Sequence, residues 1–175
     1  MGDISNSDFG IHRLLRPIKT IVSFPHPVNE LAARWVAAMV VLLGLAIILT
    51  NLYLLMWFLA YGFLARVFTG PKLSMFGILA TRLIIPLLGN RKKMVAGPPK
   101  RFAQAVGLVF STTALIFTYP FGMNTASEFV LSILVLFAIL ESFFGFCAGC
   151  FVFKYLMKWG LIPEETCKKC KNILD

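Results

Sequence analysis

Residues 35–68 read WVAAMVVLLGLAIILTNLYLLMWFLAYGFLARVF. As a single helix this block would reach about 50 Å at about 1.5 Å per residue, well beyond the roughly 30 Å of a bilayer's hydrocarbon core. Thr50-Asn51 are its only strongly polar adjacent residues. The block therefore reads as two short membrane spans, 32–49 and 52–68, with a turn at that pair.

Working outward, the composition agrees. The chain of 175 residues is 58% hydrophobic and 14% charged, against about 45–50% and about a quarter in soluble domains. The apolar excess lies in long blocks and not in a stripe of helical period, which is the pattern of spans. A third span is expected over 102–121, closed by Pro120-Phe-Gly122, and a fourth from near Glu128 to about Phe153. Lys154 and Lys158 follow its exit, and Gly160 with Pro163 ends the helix. Upstream, Asn29 is the expected N-cap of the first span, with Glu30 in its first turn. Before it, 11–24 mixes apolar and basic residues like a short surface helix, broken by Pro25-His-Pro27. No continuous apolar core of a signal peptide occurs in residues 1–30. Gly70-Pro71 stops the second span, and Leu73 to Leu88, interrupted by Arg82 and Pro86, reads as an interfacial helix. The expected fold is all-α, a polytopic membrane bundle of about four transmembrane helices plus that interfacial helix. It divides into an N-terminal segment 1–28, a membrane domain 29–160 with a loop 69–101, and a tail 161–175.

The net charge of +9 first suggests nucleic acid, but the basic residues are sorted along the chain. Of the 17, four precede or open the first span, eight lie between the last turn of span two and the start of span three, counting Arg66 in that turn, and five follow span four. None lies at 50–51 or 122–127. This positive-inside pattern explains the basic balance without nucleic acid. It places both termini and the large loop in the cytoplasm of a cell whose inner membrane holds the protein.

Four cysteines form two C-x-x-C pairs, Cys147/Cys150 and Cys167/Cys170. That is too few for a secreted disulfide scaffold. On a continuous helix Cys147 and Cys150 would lie about 60° apart on one face, beside the G-x-x-x-G formed by Gly145 and Gly149. One reading is a redox pair, since the thiolate of a C-x-x-C can cycle through a disulfide. Burial in lipid opposes this by raising a thiol's pKa, so a cleft must admit water or a partner. Lys168 and Lys169 favour thiolate in the tail pair, which makes Cys167 and Cys170 candidates for exchange with Cys150. A second reading joins Cys147, Cys150, Cys167 and Cys170 as a four-thiolate zinc site, whose spacing C-x2-C-x16-C-x2-C fits. A third is structural, with cysteines and glycines only packing helices in a scaffold for a soluble partner.

Glu141 is the only acidic residue well inside a span, and intramembrane carboxylates are functional candidates. Its expected position is about 9 Å from Cys147 along the axis and on another face. Ser111, Thr112 or Thr113 are then its expected partners. Lys100 and Arg101 enter span three as a basic anchor and are candidates to hold an anion at the membrane surface, with Gln104 packed between helices. His12 and His26 fall in turn or loose segments and are assigned no site.

Three stretches carry a family resemblance: GPKLS at 70–74, GPPKRFAQAVG at 97–107 and GFCAGC at 145–150. Over about 29–160 they make the chain similar to the bacterial membrane family numbered 4395 among domains of unknown function. That resemblance implies no established activity. It implies a setting of thiol or sulfur chemistry, with thioredoxin-like proteins or sulfurtransferases as expected partners beside the bilayer. The tail cysteines are not part of that pattern. The resulting expectation is a membrane component of cytoplasmic-side thiol–disulfide or sulfur transfer, with no cofactor unless the zinc reading holds.

Overall fold

The computed structural model describes residues 27–89 and 93–159. The segment 1–26 with its histidines, Arg91, Lys92, Gly160, Pro163 and the Cys167/Cys170 tail lie outside the described residues.

A two-residue strand β1 (Val28–Asn29) pairs antiparallel with β2 (Met94–Val95). Asn29 then caps α1 (Glu30–Thr50) as its side chain suggests, its Oδ1 accepting the Leu31 N–H at 3.1 Å. Lys93 pairs with Glu30 at 2.9 Å and fastens the loop's end to the start of α1. The helix stops where the polar pair predicts. Asn51 is left-handed, φ 56°, a conformation asparagine tolerates better than most residues. The second helix, α2 (Leu55–Thr69), runs back and ends at Gly70, φ 64°.

Beyond a 3-10 turn (Gly70–Lys72), Ser74 caps a further helical stretch. It is built from α3 (Met75–Leu79), a π turn (Ala80–Ile84) and α4 (Ile85–Leu87). Ala80 and Ile85 bury against Ala32 and Val36 of α1. The third long helix, α5 (Gly97–Thr118), begins several residues before the expected position. Pro98 and Pro99 fit there because first-turn N–H groups have no intrahelical partner. The fourth, α6 (Asn124–Ile139), also starts earlier than expected. Four helical segments are long and apolar enough to cross a membrane: Glu30–Thr50, Leu55–Leu87, Gly97–Thr118 and Asn124–Phe144.

The fourth span departs from the sequence expectation. It does not run on to Phe153. It widens into a π turn (Leu140–Phe144), breaks at 145–147, and is followed by a separate amphipathic helix α7 (Ala148–Lys158) outside the spans.

In the bundle α5 packs against α2, α6 and α7, and α6 lies on α1. The core is aliphatic, around Val40, Ile47, Met56, Leu59, Leu131 and Leu134. Close approach is set by small residues. A Cβ on Gly44 would stand 2.4 Å from Val135 Cγ2, and one on Gly107 would stand 2.3 Å from the Phe63 ring. Large apolar side chains such as Leu42, Leu49, Leu64, Val109 and Phe129 face outward. Small residues at the points of closest helix approach, with large apolar ones on the outer surface, is the arrangement expected in lipid.

Candidate functional site

The break in the fourth span builds the site. Gly145 is left-handed, φ 68°. Its N–H donates to the Glu141 carbonyl at 3.1 Å, and the Phe146 N–H to the Leu140 carbonyl at 3.2 Å. Arg34 of α1 reaches across to the exposed carbonyls, with Nε donating to Ser142 O at 3.0 Å and Nη2 to Phe143 O at 2.6 Å. A guanidinium there satisfies orphan acceptors and meets the negative end of the helix dipole.

Cys147 is the N-cap of α7, and its Sγ accepts the Cys150 N–H at 3.4 Å. The two cysteines therefore do not lie on one face of a continuous transmembrane helix, as the spacing alone suggests. They occupy the first turn of a new helix. Both are free thiols, Cys147 buried and Cys150 half-buried. A hydrogen bond from the Cys150 thiol holds Cys147 below the ordinary thiol range. Lys100 also favours its thiolate, while burial and Glu141 oppose it. Cys150 moves the other way, raised by the same hydrogen bond and by burial. A C-x-x-C at a helix N-terminus is a known way to favour one thiolate. Gly145 and Gly149 have separate duties. Gly145 turns the chain, whereas a Cβ on Gly149 would stand 2.6 Å from Ala103 Cα, so α7 touches α5 directly there.

Glu141 finds neither Ser111 nor Thr112. Those hydroxyls donate to the Leu108 carbonyl of their own helix. Glu141 Oε1 instead accepts from Lys100 Nζ at 2.6 Å, with both side chains largely buried. Lys100 is thus not the surface anion holder its position suggests, and Arg101 donates to the Val67 carbonyl. Nor is Glu141 remote from the thiols. The π turn and the break bring Glu141 and Cys147 to one cavity.

Arg66 is the group that sequence reasoning missed, because it counts there only as the basic residue in the last turn of span two. It is buried, 4% exposed. Nε donates to Gln104 Oε1 at 2.7 Å, Nη1 to Ser74 Oγ at 3.2 Å, and the guanidinium lies 4.4 Å above the Phe63 ring. Nη2 has no hydrogen-bond partner among the described residues. The only signal in the sequence is its place before Gly70, inside the apolar block.

These groups meet at a cavity of about 250 Å³ between α1, α2, α5, α6 and α7. Arg66, Gln104, Glu141 and Cys147 contribute its polar wall. The rest is apolar, including Val36, Ala37, Val40, Phe110 and Leu134.

The three stretches singled out in the sequence meet around it: Gln104 and Gly107 from the second and Cys147 and Gly149 from the third line the cavity, while Ser74 from the first and Lys100 from the second bond to its Arg66 and Glu141. A family model described as a domain of unknown function, numbered 4395, matches residues 28–158. The chain belongs to this family. No curated protein and no solved structure matches it. The matched range stops short of the tail cysteines and covers every residue of the cavity, so Cys147 and Cys150 belong to the family's domain and Cys167 and Cys170 do not.

Proposed function

We propose that this membrane protein exchanges thiols and disulfides, or passes sulfur, through Cys147 and Cys150 on the cytoplasmic side. The observation that supports this reading most is the pair's place in the first turn of α7, as hydrogen-bonded free thiols beside a cavity. Helix N-terminus, Lys100 and the Cys150 thiol all favour a Cys147 thiolate.

In the exchange, the Cys147 thiolate attacks one sulfur of a partner disulfide and expels the other as thiolate. Cys150 loses its proton and attacks Cys147 in the mixed disulfide. This releases the partner's second thiolate and closes Cys147–Cys150. Two electrons pass to the partner, and the reverse sequence re-reduces the pair. The tail cysteines are proposed as an internal reductant of the closed pair. The Cys167 thiolate attacks Cys150 and expels Cys147 as thiolate. Cys170 then loses its proton and attacks Cys167, releasing Cys150 as thiolate and closing Cys167–Cys170. Thioredoxin-like or sulfurtransferase proteins are the proposed external partners.

Non-reducing mass spectrometry of the full chain tests this. Cys170→Ser is expected to trap a mixed disulfide between Cys167 and Cys150. The proposal fails if neither a disulfide nor a persulfide forms on Cys147 or Cys150 under mild oxidation or with sulfur donors.

A further inference from the structure

Arg66 sets a problem that its neighbours do not solve. A guanidinium has five N–H donors and stays protonated in proteins. Burying it is costly unless it is paired and hydrogen-bonded. Gln104 and Ser74 are neutral acceptors, so they satisfy donors without supplying a counter-charge. The nearby carboxylate, Glu141, is bonded to Lys100 at 2.6 Å. With Cys147 as the neutral thiol, Arg66, Glu141 and the Lys100 bonded to it leave one formal positive charge beside the cavity, and Nη2 is the donor left without a partner among the described residues.

The walls define what would balance it. A cavity of about 150 Å³ lined by aliphatic and aromatic side chains is enough to bind benzene. This one, about 250 Å³, takes on the order of ten non-hydrogen atoms by the same measure. That is far less than a two-chain lipid. A small inorganic anion would leave the surfaces of Val36, Val40, Phe110 and Leu134 without contact. We infer that the cavity is a binding site for a small organic monoanion, its carboxylate or similar head paired with the Arg66 guanidinium and its apolar body against α1, α5 and α6. The inference does not need thiol exchange at Cys147, but it takes that side chain as the neutral thiol, since a thiolate in the same wall would itself be the counter-charge. It moves anion binding from the Lys100–Arg101 surface to the buried Arg66.

Benzoate is the test probe and benzamide its neutral counterpart of matching size. Equilibrium dialysis is run on the full chain in a neutral detergent, with protein-free micelles as blank. Benzoate is expected to bind saturably at one site, with benzamide weaker by about tenfold or more, since hydrogen bonds to a charged pair are the stronger ones. Arg66→Gln is expected to weaken benzoate by a similar factor. Ala37→Leu, which fills the cavity away from the guanidinium, is expected to abolish binding. If Arg66→Gln does not fold, the comparison of benzoate with benzamide on the unaltered chain and the result for Ala37→Leu decide. The inference is overturned if benzamide matches benzoate, if Arg66→Gln or Ala37→Leu binds benzoate as the unaltered chain does, or if no saturable binding is found. Cys150→Ala, which removes one thiol of the pair from outside the cavity wall, should leave benzoate binding intact, so failure of the thiol reading stays distinguishable.

Discussion

The Cys147 sulfur has two duties at residue scale: it ends the break as a helix cap, and it is the thiol whose anion its surroundings favour. Cys150 supplies both the N–H that the sulfur accepts and the thiol hydrogen bond that lowers Cys147. Alkylation by a small neutral reagent follows the thiolate fraction. In a chain with Cys167→Ser and Cys170→Ser, the pH midpoint for Cys147 should lie below the ordinary thiol value of about 8.5, and that for Cys150 above it. Cys150→Ala should move the Cys147 midpoint upward. Peptide mass spectrometry across pH reads both sites, and a Cys147 midpoint at or above that of Cys150 would refute the assignment. The C-x-x-C spacing made the pair legible in the sequence. Arg66 was not, because its burial depends on Ser74 and Gln104, 8 and 38 positions away. A basic residue at the end of an apolar block ordinarily snorkels to the interface, and nothing local marks this one as an exception.

Among the elements, the first turn and the last span differ instructively. Thr50-Asn51 announces its turn because polar backbone-capping residues interrupt an apolar run, and α1 ends there. The break at 140–147 is written in LESFFGFC, where one glycine stands among large apolar residues. A glycine in such a setting more often packs helices than ends one, so the continuous helix was the natural expectation. What decides the matter is tertiary: Arg34 on α1 holds the Ser142 and Phe143 carbonyls. Gly145→Ala would put a Cβ 3.2 Å from Glu30 Oε1 and force alanine into left-handed backbone. The expected loss of stability is about 1–2 kcal/mol. Arg34→Gln removes a charged donor from two carbonyls and should destabilise by about 1–3 kcal/mol. Both substitutions should also shift the Cys147 alkylation profile towards that of an ordinary buried thiol, since they loosen the start of α7. Unfolding in a mixed-detergent titration measures the first effect. If Gly145→Ala leaves both stability and the profile unchanged, the break does not position the thiol.

For the whole molecule, charge and topology meet at one end of the bundle. The helices α1 and α5 begin where α2 and the fourth span finish, and Arg34, Arg66, Lys100, Arg101 and Glu141 gather there. At the opposite end Tyr53 donates to Glu128 at 2.8 Å, and the turns 51–54 and 119–123 contain no lysine or arginine. Among the described residues, four antiparallel spans with Arg34, Arg66, Lys100 and Arg101 at one end and no lysine or arginine in the turns at the other are what the positive-inside rule expects of a single orientation. In a background with all four cysteines replaced by serine, Asn51→Cys should react with a membrane-impermeant maleimide applied to intact cells. Lys72→Cys should react only after the membrane is opened. The reverse pattern would put the basic end outside. That outcome would also remove the thiol proposal in its present form, because Cys147 and Cys150 share the end of the bundle with Lys100 and would then meet non-cytoplasmic partners. The benzoate site would survive it, since a carboxylate on Arg66 requires only that the cavity be reachable. Orientation is therefore the measurement that separates the two readings at the largest scale: it constrains which partners can reach the thiols and leaves the chemistry of the cavity untouched.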